Sequence, residues 1–356
     1  MSGRALGRAL LTLLLATGAS AAPAPARASA DLARGDPAAR LLPQEHASDV
    51  WDLTVELDGG GWIVAQATVT NLGPGDGSGG VVGHVLEPDG TVHEFHKIRR
   101  AGAWQLSEGG RRLDLDAIVL DQSGPEAHLH VDKRRVDLDL RIGLGGARVW
   151  PKALTANDGA EHGFDLLALA APVAGTLRTG DRPPRAVTGR AILTHRWTSV
   201  LEADLMDRRV ELFAFQGDTG LYFTELASAG RPARRWLVVG REGRILASHE
   251  DVEASFRSGE GVRGPDRLEI DSPVALGSAE LARVVLRDEP LSRAPWLVRV
   301  WLERLTRPRF VWSAAPFEFT VRDPAGGGKL RLAGKGLVDV ARFDAGGLLP
   351  AIRWGE

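Results

Sequence analysis

The sequence predicts an all-β protein built from two antiparallel β-barrel domains in tandem. Two observations carry the barrels. Short runs of alternating apolar and polar residues recur along most of the chain. Hairpin-type turn residues, such as Asp58-Gly-Gly-Gly61 and Pro88-Asp-Gly90, separate them. A length of 356 residues adds the third, since it exceeds one ordinary domain. A meander of this kind must bury one face of every strand, and curling the sheet on itself does so.

The elements follow in order. Arg4 and Arg8 precede the apolar run Ala9 to Ala16, and Ala19-Ser-Ala21 supplies small residues, so residues 1–21 read as a cleaved signal peptide. Residues 22–45, rich in Ala, Pro and Arg, read as a disordered leader. Residues 46–184 form the expected N-terminal barrel. Its strands are Val50 to Leu57, Trp62 to Thr70, Val81 to Leu86, Thr91 to Ile98, Arg112 to Leu120, Ala127 to Val131, Val136 to Ile142 and Phe164 to Leu169. Gly180-Asp-Arg-Pro-Pro184 reads as the linker to a C-terminal barrel of residues 185–356. That barrel is expected to hold strands at Arg190 to Trp197, Arg209 to Gln216, Leu221 to Leu226, Trp236 to Val239 and Arg244 to Ala247. Later strands are expected at Arg267 to Ile270, Leu281 to Leu286, Phe317 to Arg322, Leu330 to Leu332 and Val338 to Phe343. Two short helices are expected, at Val252 to Arg257 and Trp296 to Leu305.

Composition narrows the partners. A net charge of -2 leaves no basic surplus to neutralise phosphates, which argues against nucleic acid. Without cysteine the chain has neither disulfide nor lipid-attachment thiol, so an exported product, secreted or periplasmic, must rest on its own core. Ten Trp against one Tyr is a skewed inventory, suited to gripping an extended apolar ligand. Trp296 to Leu305 has a weakly amphipathic face that would suit peripheral membrane contact or a barrel mouth.

Several short pieces carry a resemblance. Gly189-Arg-Ala-Ile-Leu-Thr-His195, Val210-Glu-Leu-Phe-Ala-Phe-Gln216, Trp236-Leu-Val-Val-Gly240 and Gly243-Arg-Ile-Leu246 resemble the second domain of the tandem lipocalin-like proteins. These include the yeast survival-factor family, the AttH-like bacterial proteins and the hydroxyneurosporene synthases, which are carotenoid hydratases. Gly61-Trp-Ile-Val64, Asn71 and Asp89-Gly-Thr-Val92 are similar to the family's opening hairpins, and Gly334 to Val340 to its closing strand. The chain departs from the bacterial pattern at Thr194 and at Trp197-Thr198, where those members carry an acid and an aromatic–glycine pair. The resemblance implies binding or carriage of a lipid or isoprenoid. The alternative it implies is a hydratase or isomerase acting on a polyene.

Candidate residues follow from strand faces. Alternation puts Ala191, Leu193, His195 and Trp197 on one side, so an imidazole and an indole share a wall with aliphatic groups. His195 and Glu225 are the catalytic candidates, an imidazole and a carboxylate able to move protons. With Trp197, Glu211 and Gln216 they are expected at the base of a second-domain cavity. Trp62, His195, Trp197, Phe213, Phe215 and Tyr222 are the expected ligand-binding set. His128 and His130 share a strand face, but two imidazoles are too few for zinc, and no metal or cofactor is expected. No Gly-x-Ser-x-Gly elbow or P-loop is present.

Overall fold

Strands account for nearly all regular structure in the computed structural model. It describes residues 37–71, 77–107, 109–144, 162–250, 252–257, 266–293, 296, 299, 303, 306–322 and 328–345. In chain order the first strands are β1 (Ser48–Leu57), β2 (Trp62–Thr70), β3 (Ser78–Leu86), β4 (Val92–Arg99), β5 (Gln105–Leu106) and β6 (Arg112–Asp114). They continue with β7 (Ile118–Asp121), β8 (Glu126–Asp132), β9 (Val136–Gly143), β10 (His162–Thr179) and β11 (Arg185–Thr198). A single-turn helix, α1 (Glu202–Leu205), precedes β12 (Arg208–Gln216), β13 (Thr219–Ala227), β14 (Arg234–Arg241), β15 (Arg244–His249) and β16 (Glu253–Arg257). The last are β17 (Arg267–Asp271), β18 (Ala275–Glu280), β19 (Arg283–Asp288), β20 (Thr306–Arg322) and β21 (Lys329–Ala345).

They form two curled antiparallel sheets. The first runs β4-β3-β2-β1-β11-β10-β9-β8-β7-β6-β5, and the second β15-β14-β13-β12-β21-β20-β18-β17-β16 with β19 also paired to β20. The expected all-β, lipocalin-like tandem architecture is what the chain adopts. Inward side chains make a continuous buried cluster in each sheet. Leu53, Val55, Leu138, Leu140 and Leu193 belong to the first, and Leu212, Phe223, Leu237, Phe319 and Val338 to the second.

Four local expectations change. Gly180 to Pro184 is no linker but the turn between β10 and β11, and β11 pairs with β1 as well as β10. The first sheet therefore ends at Thr198, and the crossover to the second is residues 199–207. Arg112 to Leu120 splits into the hairpin β6–β7, because Asp116 takes a positive φ of 76° and reverses the chain. Val252 to Arg257 is not helical: Glu253–Arg257 is an edge strand, its alternating polar residues facing solvent. Residues 37–45, expected disordered, pack on the first sheet: Trp51 Nε1 donates to the Pro37 carbonyl (3.0 Å) and the Ala39 amide to Gly110 (2.9 Å). The signal-peptide reading of residues 1–21 lies outside the described residues. In the expected helix at Trp296 to Leu305, Trp296, Arg299 and Glu303 are helical, and Trp296 is exposed.

The two sheets pack back to back through their outer faces. Phe164, Leu166 and Ile192 of the first meet Phe213, Phe215, Tyr222, Trp236 and Leu337 of the second in one buried cluster. Phe164 stacks on Tyr222 (6.1 Å between centroids) and meets Trp236 edge-on (5.8 Å). Close approach is possible where β10 kinks at Ala170 (φ 51°), because a Cβ at Gly220 would lie 2.9 Å from the Ala170 methyl. Phe164→Ala removes the ring that joins the sheets and should cost about 3–5 kcal/mol of stability. Calorimetry should show both sheets unfolding in one transition at a lowered Tm.

Candidate functional site

The seam between the sheets holds the site. Strand alternation that points Leu53, Leu193, Leu212 and Val338 inward necessarily points Asp52, Arg196, Arg209, Glu211 and Asp339 outward. Here outward means toward the other sheet, so these charged groups are buried or nearly so.

Burial forces them to pair. Arg196 contacts Asp52 through its Nη1, and its Nε donates to Glu202 on α1 (2.8 Å). Arg209 Nε lies 2.8 Å from a Glu211 carboxylate oxygen as an ion pair, and its other guanidinium nitrogens lie 3.6 Å from Glu202 and from Asp339. The Tyr222 hydroxyl donates a short hydrogen bond to Glu211. Burial opposes the charge on Arg209, but Glu211, Glu202 and Asp339 outweigh it and hold its pKa above the usual guanidinium value. Burial likewise works against Glu202, yet Arg196 and Arg209 keep it below the ordinary carboxylate range.

Asp339 differs from its neighbours. It sits directly opposite Glu211 in the β12–β21 register, so two carboxylates face each other across one strand pair. Glu211 accepts a hydrogen bond from Tyr222 and is ion-paired with Arg209, whereas Asp339 Oδ1 is buried without a hydrogen-bond partner. The proton therefore belongs on Asp339. Burial and the Glu211 charge, opposed by Arg209, push its pKa up to about 8. Nearby His162 is buried with neither ring nitrogen bonded, and burial pulls its pKa down to about 4, so it stays neutral. Burial and Glu211 also push the Tyr222 hydroxyl well above its ordinary value.

This floor closes a cleft. An inner pocket of about 60 Å³ is lined by Asp52, Arg209, Glu211 and Asp339 with Phe310 and Trp312. It shares Gln66, Val82, Pro290 and Phe310 with an outer cleft of about 270 Å³. The outer walls differ: Ser48, Thr68 and Ser78 come from the first sheet, Pro308, Phe310 and Phe343 from the second. A neutral acid beneath such walls can donate a proton to an apolar guest, and the adjoining carboxylates can hold positive charge.

The residues expected at a site divide. Phe213, Phe215 and Tyr222 lie in the seam cluster with Trp62 packed against it, and Phe213 stacks on the cleft residue Trp312 (5.8 Å). His195 and Trp197 lie elsewhere, on the inner face of the first sheet. His195 Nε2 donates to Asp49 (2.9 Å) and its ring stacks on Trp51 at 4.8 Å. Glu225 faces the second sheet's interior, accepting from Arg208 (2.6 Å) and Arg235 (2.7 Å). Gln216 is exposed and accepts from the Ala333 amide (2.9 Å). The expected cluster of His195, Glu211, Gln216 and Glu225 is therefore not formed, because β11 belongs to the first sheet and neighbouring strand faces diverge. Asp52, Arg196, Arg209 and Asp339 were not singled out from the sequence. The available signal was a charged residue flanked by apolar ones inside a strand, as in Val338-Asp339-Val340. His128 and His130 both approach Asp139 (3.0 and 3.4 Å), and among the described residues no three such side chains are arranged to hold a metal ion.

No family model and no curated sequence matches the chain. Solved structures do. An AttH-like protein from Nitrosomonas europaea superposes with a TM-score of 0.56 at 13% identity, covering 84% of this chain and 92% of that one. CghA, solved with Sch210972, gives 0.57 at 13% identity over 87% and 98%. Kievitone hydratase from Nectria haematococca gives 0.52 at 11% identity over 89% and 96%. At these identities the likeness is one of fold, and it spans nearly the whole of each relative: this chain has the tandem lipocalin-like fold of the AttH-like proteins.

Proposed function

We propose that the chain is an exported enzyme of the hydratase or isomerase class, which binds a neutral, mostly apolar molecule in the seam cleft. The observation that carries this reading is Asp339: a buried carboxyl with one unbonded oxygen, facing Glu211, in a small polar pocket that adjoins the more apolar outer cleft. In this reading Asp339 gives its proton to one carbon of a substrate double bond. The carbon left positive sits near the faces of Phe310 and Trp312 and the Glu211 carboxylate, all of which favour it. Water then adds to that carbon and returns a proton to Asp339, which completes a hydration. Loss of a different proton instead completes an isomerisation. Supporting the apolar class, the outer cleft approaches the roughly 300 Å³ at which ligand pockets begin, and its second-sheet wall is Pro308, Phe310 and Phe343. The outer cleft's one ionisable acid among the network, Glu202, is engaged by Arg196 and Arg209, so nothing there calls for a charged guest. Export, to the periplasm or beyond, rests on the N-terminal apolar run with Arg4 and Arg8 before it and Ala19-Ser-Ala21 after it.

The test uses unsaturated isoprenoids and unsaturated ring compounds in deuterated water, with mass spectrometry reading deuterium gain. The unchanged protein should label a substrate, and Asp339→Asn should reduce labelling at least a hundredfold while still binding the neutral dye Nile red. Labelling should fall as pH rises through about 8, because the raised pKa leaves the donor protonated only below that value. Unimpaired labelling by Asp339→Asn would refute its role. Dye binding with no labelling of any compound would leave a carrier of hydrophobic molecules, not an enzyme. Thr68→Trp, which fills the outer cleft, should weaken Nile red binding about tenfold or more without lowering Tm; unchanged binding would move the ligand elsewhere.

A further inference from the structure

A second constellation lies away from the seam, at one end of the first sheet's interior. β1, β10 and β11 pair so that Asp49 stands beside Trp197, and His195 lies between Trp51 and Asp165. All five side chains point to the same face, which also carries Leu53, Leu167 and Leu193. Asp49 and Asp165 are both buried. Gly163, opposite Trp197, is what lets the indole lie flat: a Cβ there would come within 2.0 Å of the Trp197 ring.

One cation of the chain itself is seated on this surface. The Arg40 guanidinium carbon lies 4.5 Å from the centre of the Trp197 ring, and Arg40 Nη2 is 3.8 Å from Asp165. The segment carrying it is tied down by backbone bonds, the amides of Arg40 and Leu41 donating to the two oxygens of Asp49 (2.8 and 2.9 Å). Next to this seat is a cavity of about 300 Å³, bordered by Asp49, Leu41, Leu42, Val69, Trp104 and Leu106. A planar cation over an indole face with a buried carboxylate beside it, and apolar room adjoining, is the chemistry of a guanidinium receptor.

We propose that this end of the first sheet is a binding site for a guanidinium-bearing small molecule with an apolar tail, and that Arg40 occupies it as an intramolecular stand-in. The guanidinium of the ligand takes the place of Arg40 over Trp197 and against Asp165. The tail enters the cavity beside Trp104 and Leu106. The site borders the seam cleft only at Ser48 and Thr70 and does not depend on the reaction assigned there.

The probe is N-hexylguanidinium, with 1-hexanol as its uncharged counterpart, and binding is read by calorimetry and by tryptophan fluorescence. Arg40→Ala, made in the full chain, vacates the seat while leaving the backbone bonds to Asp49 in place. It should bind N-hexylguanidinium at least tenfold more tightly than the unchanged chain and show no such gain for hexanol. Adding Asp165→Asn should cancel the gain, with circular dichroism checking that the sheet persists. No gain on Arg40→Ala, or an equal gain for hexanol, overturns the proposal. The Arg40→Ala comparison alone decides if the double variant fails to fold.

Discussion

Two guanidinium groups buried between two sheets set the terms for everything around them. Arg196 comes from the first sheet and Arg209 from the second, and neither reaches water. A charge removed from solvent costs several kcal/mol unless carboxylates and hydrogen bonds replace the water. Asp52, Glu202, Glu211 and Asp339 supply the replacement. Four acids against two cations would leave an excess of negative charge in a poorly screened place. Keeping one acid protonated relieves it, and the register chooses which, since Glu211 is well bonded and Asp339 is not. The raised pKa of Asp339 is thus a by-product of joining the sheets.

Apolar packing and charge divide the seam between them. Phe164, Phe213, Tyr222 and Trp236 hold the sheets together without discrimination, each ring burying a large area. The ionic network adds little net stability, because desolvation offsets much of the attraction. What it adds is position: Arg209 is held from three sides, so the neighbouring acids have little freedom to turn away.

Most strands are legible in the sequence, and the reason is plain at β1 and β2. Their inward positions are apolar, their outward ones mixed, and Asp58 to Gly61 marks the turn. The site was less legible for the same reason. Alternation separates two faces but does not say whether the second face meets solvent or another sheet. Asp339 between two valines reads as a wet position, yet it is buried under the first sheet. Trp62, Phe213, Phe215 and Tyr222 were expected to line a ligand site; in the fold they pack into or against that second layer, since large rings on an outward face need a partner. The sheet to which β11 belongs was hidden by Pro183 and Pro184, which suit a linker and a rigid hairpin turn equally. β20 and β21 were shortened for a related cause: Pro316, Gly334 and Gly336 interrupt the pattern without interrupting the pairing.

The route from one sheet to the other has its own meaning. Residues 199–207 are a short bridge, and Glu202 within it grips an arginine from each side. A connection riveted at its midpoint to both halves resists the swinging that a loose tether would allow. The cleft beside it is accordingly an aperture framed by both sheets, and a molecule entering the proposed site would be selected by its outline and not by domain closure.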